Sequence, residues 1–160
     1  MPKRIIIHHT AGVYQPNHID ISAYHYLITD TGKIVQGKYT VEDNEDCTDG
    51  RYAAHTLKGN TGSIGIAACC NMNFSLSNPK ATYYPLTLLQ FNTICKLCAK
   101  MCKKYNISSN MVFTHYGYDK LKGIKQGKVD ITYLPFKPEL NPDQVQQYFR
   151  AIISHHINNS

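Results

Sequence analysis

Apolar and polar residues follow one another along the chain in short blocks that predict an α/β fold. The three consecutive isoleucines at 5–7 form an apolar, β-branched run that is typical of a buried strand and ends in His8 and His9. Further strands are predicted at 24–29, 33–36, 63–70 and 111–115. The Asp-Thr-Gly turn between the strands at 24–29 and 33–36 indicates that these two form a β-hairpin.

Two longer segments have the spacing of amphipathic helices. Residues 85–105 carry apolar side chains at helical intervals, and the last helix begins after Asn141, with Gln144 completing a capping-box pattern. Turn-forming residues predict loops at 12–22 and at 116–138, and a loop as long as the second is expected to be functional. A chain of 160 residues is suited to one domain, which we assign to residues 1–160 without a separate wall-binding domain.

The composition limits the possible partners and the compartment. The net charge of +6 favours an anionic partner, but the Lys and Arg residues are scattered, so we expect no nucleic acid. The apolar run near the N-terminus is too short for a signal peptide, and no stretch reaches transmembrane length, so we expect synthesis in the cytoplasm and no membrane insertion. Cysteines 95, 98 and 102 share a helical face with apolar neighbours, which favours buried thiols over a metal cluster.

Candidate chemistry lies at the ends of two predicted strands. His8 and His115 each end a strand, and Asp130 follows in the loop after the second. A catalytic zinc site takes three protein ligands and keeps one position open, and two imidazoles with one carboxylate meet that need. Spacing cannot establish ligands from distant segments, so a structural, hydrogen-bonded role for these histidines stays open. His9 and His25 are expected to point away from the site because side chains alternate along a strand.

Four motifs give the chain a resemblance to a known family. They are HHTAG at 8–12, YHYLI at 24–28 with GKI at 32–34, the segment from Ala54-His55 to Gly65, and Thr114-His115 with KVD at 128–130. Together they resemble the zinc-dependent N-acetylmuramoyl-L-alanine amidases of the type 2 class, which include phage endolysins, wall-recycling amidases and peptidoglycan recognition proteins. The resemblance implies a central mixed β-sheet of about five or six strands flanked by helices.

The resemblance also implies an activity and a cofactor. The reaction would be hydrolysis of the amide bond between N-acetylmuramic acid and L-alanine, and the substrate would be peptidoglycan or a muropeptide. His8, His115 and Asp130 correspond to the three zinc ligands of the family. We expect a monomer, and the small size and basic charge favour a phage or prophage lysin. The alternatives are a non-catalytic peptidoglycan-binding module and a cytoplasmic muropeptide-recycling amidase.

Further residues take roles from the same resemblance. Lys128 corresponds to the basic residue that stabilises the oxyanion, and Tyr24 to the tyrosine beside the metal in the phage enzymes. His55 and Asn60 fall where family members line the groove that binds glycan and peptide. Ala67 stands where recycling-type members have a glutamate base, so the general base is left unassigned.

The interval between the first ligand and the family tyrosine departs from the usual pattern. The interval from His8 to Tyr24 is shorter than usual in the family, whose members have there a helix that forms part of the groove wall. We therefore expect a more open groove.

Overall fold

The computed structural model describes residues 1–159 and contains five strands and four α-helices. The strands are β1 (Arg4–His9), β2 (Tyr26–Ile28), β3 (Ile34–Gln36), β4 (Ser63–Ala68) and β5 (Val112–Thr114). The helices are α1 (His18–Ala23), α2 (Leu88–Tyr105), α3 (His115–Lys122) and α4 (Pro142–Asn158). The predicted α/β fold, with a five-stranded mixed sheet flanked by helices, is confirmed.

The strand β1 lies inside the sheet, whose order is β3-β2-β4-β1-β5. It pairs in parallel with β4 and β5, while β3 closes one edge antiparallel to β2, as the predicted hairpin requires. The isoleucines of β1 are fully buried because helices or loops cover both faces of the sheet. Since β1 and β5 are parallel neighbours, their carboxyl ends meet at the same edge of the sheet.

The two faces of the sheet have different coverings. Ile5 and Ile7 belong to the large core beneath α2 and α4, where the rings of Phe91 and Phe149 lie 4.6 Å apart. Ile6 faces the other side, in a smaller cluster with Tyr118 of α3. Alternation along β1 places His8 on the same face as Ile6, so the face covered by α3 is the one that carries candidate chemistry.

The capping residues of α2 also fix this helix to the sheet. Thr87 and Gln90 form a capping box, so the helix begins at Leu88, three residues after the predicted start. The buried Gln90 amide donates from Nε2 to the carbonyls of Ile28 and Cys69 at 3.1 and 2.9 Å. The predicted burial of the cysteines at 95, 98 and 102 is confirmed.

Two predicted loops contain helices. Within 12–22, the helix α1 begins after Asn17, whose side chain forms a capping box with Asp20, and its six residues are all at least partly exposed. The predicted loop at 116–138 contains most of α3, which is capped by Thr114, whose side chain accepts a hydrogen bond from the backbone of Gly117. Both helices are too short to show a clear apolar period, which is why the pattern missed them. No helix among residues 1–159 has the length and apolar character needed to cross a bilayer.

We predict that Phe91→Ala destabilises the fold by about 3–5 kcal/mol, because it opens a cavity where the core is densely packed. Phe91 is 1% exposed and contacts the rings of Phe136, Tyr148 and Phe149. Urea denaturation measures the change in the free energy of unfolding. Leu88→Ala is the control, because this leucine of the same helix is 53% exposed and should change stability by about 0.5 kcal/mol or less. Equal effects of the two substitutions would contradict the packing described.

Candidate active site

The predicted residues His8, His115 and Asp130 lie together at the carboxyl ends of β1 and β5. The Oδ2 atom of Asp130 is 3.3 Å from Nδ1 of His8 and 3.5 Å from Nδ1 of His115. All three side chains are buried, and one potential ligand atom from each lies within 4.8 Å of the others. The segment that carries Asp130 is fixed to α3 by a backbone hydrogen bond of 3.0 Å from Tyr116 to the Asp130 carbonyl.

The protonation states of His8 and Asp130 in this structure are those of metal ligands. Burial lowers the pKa of His8 to about 4, so its imidazole is neutral at physiological pH. Burial alone would raise the pKa of Asp130, but its contacts with His115 and His8 outweigh burial and hold that pKa well below the usual range. A neutral imidazole and an ionised carboxylate are both able to donate a lone pair to a cation.

The geometry of these donors fits a zinc ion. Ligand atoms about 2.1 Å from a tetrahedral zinc lie about 3.4 Å from one another, close to the two observed distances from Asp130. Both ring nitrogens of His115 are buried without a hydrogen-bond partner among residues 1–159. Buried polar atoms without partners are unfavourable, and a bound cation would be a partner for one of these nitrogens. The residues present therefore fit zinc on donor type, and the two distances from Asp130 fit the spacing that zinc requires.

His55 lies behind His8. Its Nδ1 is 3.1 Å from Nε2 of His8, and its ring packs directly on Gly65 of β4. A Cβ atom at Gly65 would lie 2.6 Å from the His55 ring, so only glycine leaves room for it. His55 also lines a cleft next to the candidate ligands. The Asn60 side chain accepts hydrogen bonds from the backbone of His55 and Thr56. Asn60 thus shapes the turn that carries His55.

The prediction that His9 points away from the site is wrong. Its Nε2 lies 3.7 Å from Oδ1 of Asp130, and its Nδ1 lies 2.9 Å from the Asn71 amide nitrogen. Asp130 lies beyond the end of β1, so one of its oxygens faces the His8 ring and the other faces the His9 ring, although these side chains alternate along the strand. The prediction for His25 is confirmed, because this ring bonds to Asn44 and accepts a hydrogen bond from the Gly65 backbone.

A cleft of about 210 Å³ opens beside the three candidate ligands. It is lined by His9, Tyr24, His55, His115, Lys128 and Asp130, among others. The Tyr24 ring lies 5.1 Å from that of His8, and burial raises the pKa of its phenol, so the hydroxyl stays protonated. Lys128 is exposed at the rim and follows Gly127, whose φ of 69° is in the left-handed region.

The sequence reasoning missed Asp119. It lies on α3, one helical turn after His115, with its Oδ2 3.5 Å from His115 Nε2. The sequence shows the i, i+4 spacing, but this spacing brings two side chains together only within a helix, and the sequence pattern predicts a loop at 116–138. Ala67 pairs in register with His8 on the neighbouring strand, so no carboxylate lies at that position.

Comparisons with known proteins give a family and a fold for this chain. A family model described as N-acetylmuramoyl-L-alanine amidase matches residues 1–131. The amidase LysC from Clostridium intestinale URNW has a TM-score of 0.55 and 21% identity, over 85% of this chain and 80% of LysC. The endolysin amidase LysCS from the same organism gives 0.54 and 21%, over 85% and 79%. The PlyG catalytic domain gives 0.53 and 20%, over 98% and 82%. A sequence search of curated proteins finds no match.

We predict that Gly65→Ala destabilises the protein by about 1–3 kcal/mol, because the new methyl group overlaps the buried His55 ring. Thermal or urea unfolding measures the change. Gly12→Ala is the matched control, since its new Cβ would have its nearest neighbour at 3.6 Å, an ordinary contact. If the two substitutions had the same effect, the close packing of His55 on β4 would be refuted.

Proposed function

This chain belongs to the N-acetylmuramoyl-L-alanine amidase family, and on that premise we propose that it cleaves the amide between N-acetylmuramic acid and L-alanine with zinc held by His8, His115 and Asp130. Hydrolysis of a peptidoglycan amide bond is the activity of the family. The observation that carries the zinc proposal is that two buried imidazoles and one buried carboxylate have ligand atoms within 4.8 Å of one another beside a cleft.

Zinc bound there would supply Lewis acidity for attack of water on the amide carbonyl. The protein's own residues would then orient the substrate and handle charge and protons. Lys128 would stabilise the negative charge that develops on the carbonyl oxygen, a contribution of about 3 kcal/mol for a well-placed donor. Support for this role comes from the position of Lys128 at the rim of the same cleft.

Tyr24 would act as a hydrogen-bonding group rather than as a base. Its raised pKa keeps the phenol protonated, and its hydroxyl lies 3.5 Å from the His9 carbonyl oxygen, at the edge of the cleft. From there it would orient the attacking water or give a hydrogen bond to the departing amine. His55 would support His8 from behind while bordering the bound substrate, and Asn60 would hold the turn that positions His55.

We further propose a lysin of the phage or prophage type over a cytoplasmic recycling enzyme. Ala67 lacks the carboxylate expected of recycling-type members, and the endolysin amidase LysCS has the same fold. A peptidoglycan-binding module that has lost the reaction is the other alternative. The intact set of three candidate ligands favours the enzyme, because a module that only binds has no need of them.

Digestion of purified peptidoglycan tests the activity. Zinc-loaded protein should release stem peptides with free L-alanine amino groups and create no new reducing sugar ends, as mass spectrometry of the products would show. Intact muramoyl-alanine linkages after prolonged incubation would refute the amidase and favour the binding module, which pull-down with insoluble peptidoglycan would then detect.

We predict that His115→Ala and Asp130→Ala each abolish stoichiometric zinc binding, because two protein ligands hold zinc much more weakly than three. The purified parent protein should retain about one zinc per chain after dialysis, as elemental analysis would measure. His18→Ala, which changes an exposed histidine on α1, is the control and should keep the metal. Full zinc content in either ligand variant would contradict the assignment.

We predict that Lys128→Ala lowers kcat by about 10²–10³-fold while zinc content stays unchanged, since the ammonium would act on developing charge and not on the metal. Steady-state hydrolysis of a soluble muropeptide measures kcat. Lys125→Ala is the control, because this exposed lysine lies outside the cleft and should leave kcat near the parent value. An unchanged kcat in Lys128→Ala would remove this residue from the mechanism.

A further inference from the structure

Asp119 is a buried carboxylate for which the mechanism above has no role. It lies on α3 one helical turn after His115, so the two side chains share one face of the helix. Its Oδ2 atom is 3.5 Å from Nε2 of His115, and the residue is only 5% exposed. Thr114 caps the helix through a 3.0 Å hydrogen bond from Gly117, which fixes the turn that connects the pair.

The carboxylate has no other use that the described residues reveal. Neither of its oxygens has a hydrogen-bond partner among residues 1–159, and the same is true of both ring nitrogens of His115. A buried carboxylate is unfavourable unless it is paired, and the Oδ2 atom of Asp119 lies 3.5 Å from Nε2 of the His115 ring. The structure therefore places the Asp119 carboxylate and the His115 imidazole, both without hydrogen-bond partners, next to each other.

We propose that Asp119 is a positioning residue that holds the His115 imidazole in the orientation and tautomer needed to bind zinc. The inference rests on the proposed zinc site. The two nitrogens of the ring lie near different carboxylates, with Nδ1 3.5 Å from Asp130 and Nε2 3.5 Å from Asp119. An imidazole that gives the Nδ1 lone pair to a metal carries its proton on Nε2, and a carboxylate beside Nε2 stabilises that form.

The other ligand histidine has a different kind of support. Nε2 of His8 lies 3.1 Å from Nδ1 of His55 and 3.4 Å from the Thr56 hydroxyl, so neutral groups hold that ring. Asp119 thus gives His115 a charged partner where His8 has uncharged ones. A charged acceptor raises the basicity of the ligand, so Asp119 should affect zinc affinity more than the shape of the site.

The variants Asp119→Ala and Asp119→Asn test the proposal, with Asp143→Asn as control. Asp143 is an exposed acid that pairs with Lys120 and does not line the cleft beside the candidate ligands. We expect the zinc dissociation constant, measured by competition with a chelator, to rise about 10–100-fold in Asp119→Ala. It should rise less in Asp119→Asn, whose amide oxygen still accepts a hydrogen bond. The control should bind zinc like the parent.

Unfolding of the metal-free proteins separates positioning from a merely structural role. The Asp119 carboxylate has no hydrogen-bond partner without metal, so Asp119→Ala should unfold at the parent temperature or above it. Zinc affinity within about threefold of the parent would overturn the proposal, as would a metal-free variant that is clearly less stable than the parent. A parent that binds no zinc would overturn the zinc site itself, together with this role.

Discussion

The carboxylate of Asp130, buried among His8, His9 and His115, is the feature on which the rest of the site depends. Its Oδ2 atom faces the Nδ1 atoms of His8 and His115 and also accepts a 3.4 Å hydrogen bond from the His9 backbone. Its Oδ1 atom faces the His9 ring. Taking an ionised carboxylate out of water is unfavourable, and neutral imidazoles offset this only in part. A divalent cation at the same point, as proposed, would offset this cost far better than the imidazoles alone.

A column of three neutral imidazole rings, those of His8, His55 and His25, lies behind this cluster. His8 contacts His55, and His55 contacts His25, with ring centroids 5.0 and 5.7 Å apart. Burial lowers the pKa of each of these histidines, so the column carries no charge at physiological pH. It ends at Asn44, which binds the backbone of Ala53 and Asn60. The segment that contains His55 is therefore held at both ends by the Asn44 side chain.

The sequence predicted those parts of the molecule that depend on long or sharply marked patterns. Three isoleucines defined β1, the Asp-Thr-Gly turn defined the hairpin, and the cap at Asn141 defined α4. The short helices α1 and α3 have too few turns for an apolar period to stand out. The error over His9 has another cause: the position of Asp130 beyond the strand end is set by tertiary packing, which alternation along one strand does not encode.

The absence of a carboxylate at Ala67 affects how the proposed reaction would move protons. Ala67 is the register partner of His8 on the neighbouring strand, so a glutamate there would lie beside His8 and the proposed zinc site. Asp130 and Asp119 are two carboxylates at the site, and each faces an imidazole. If both are committed to histidines, neither is free to act as a base. In the proposed mechanism the leaving amine would then receive its proton from the attacking water, and the protonated Tyr24 at the cleft would assist this transfer with a hydrogen bond.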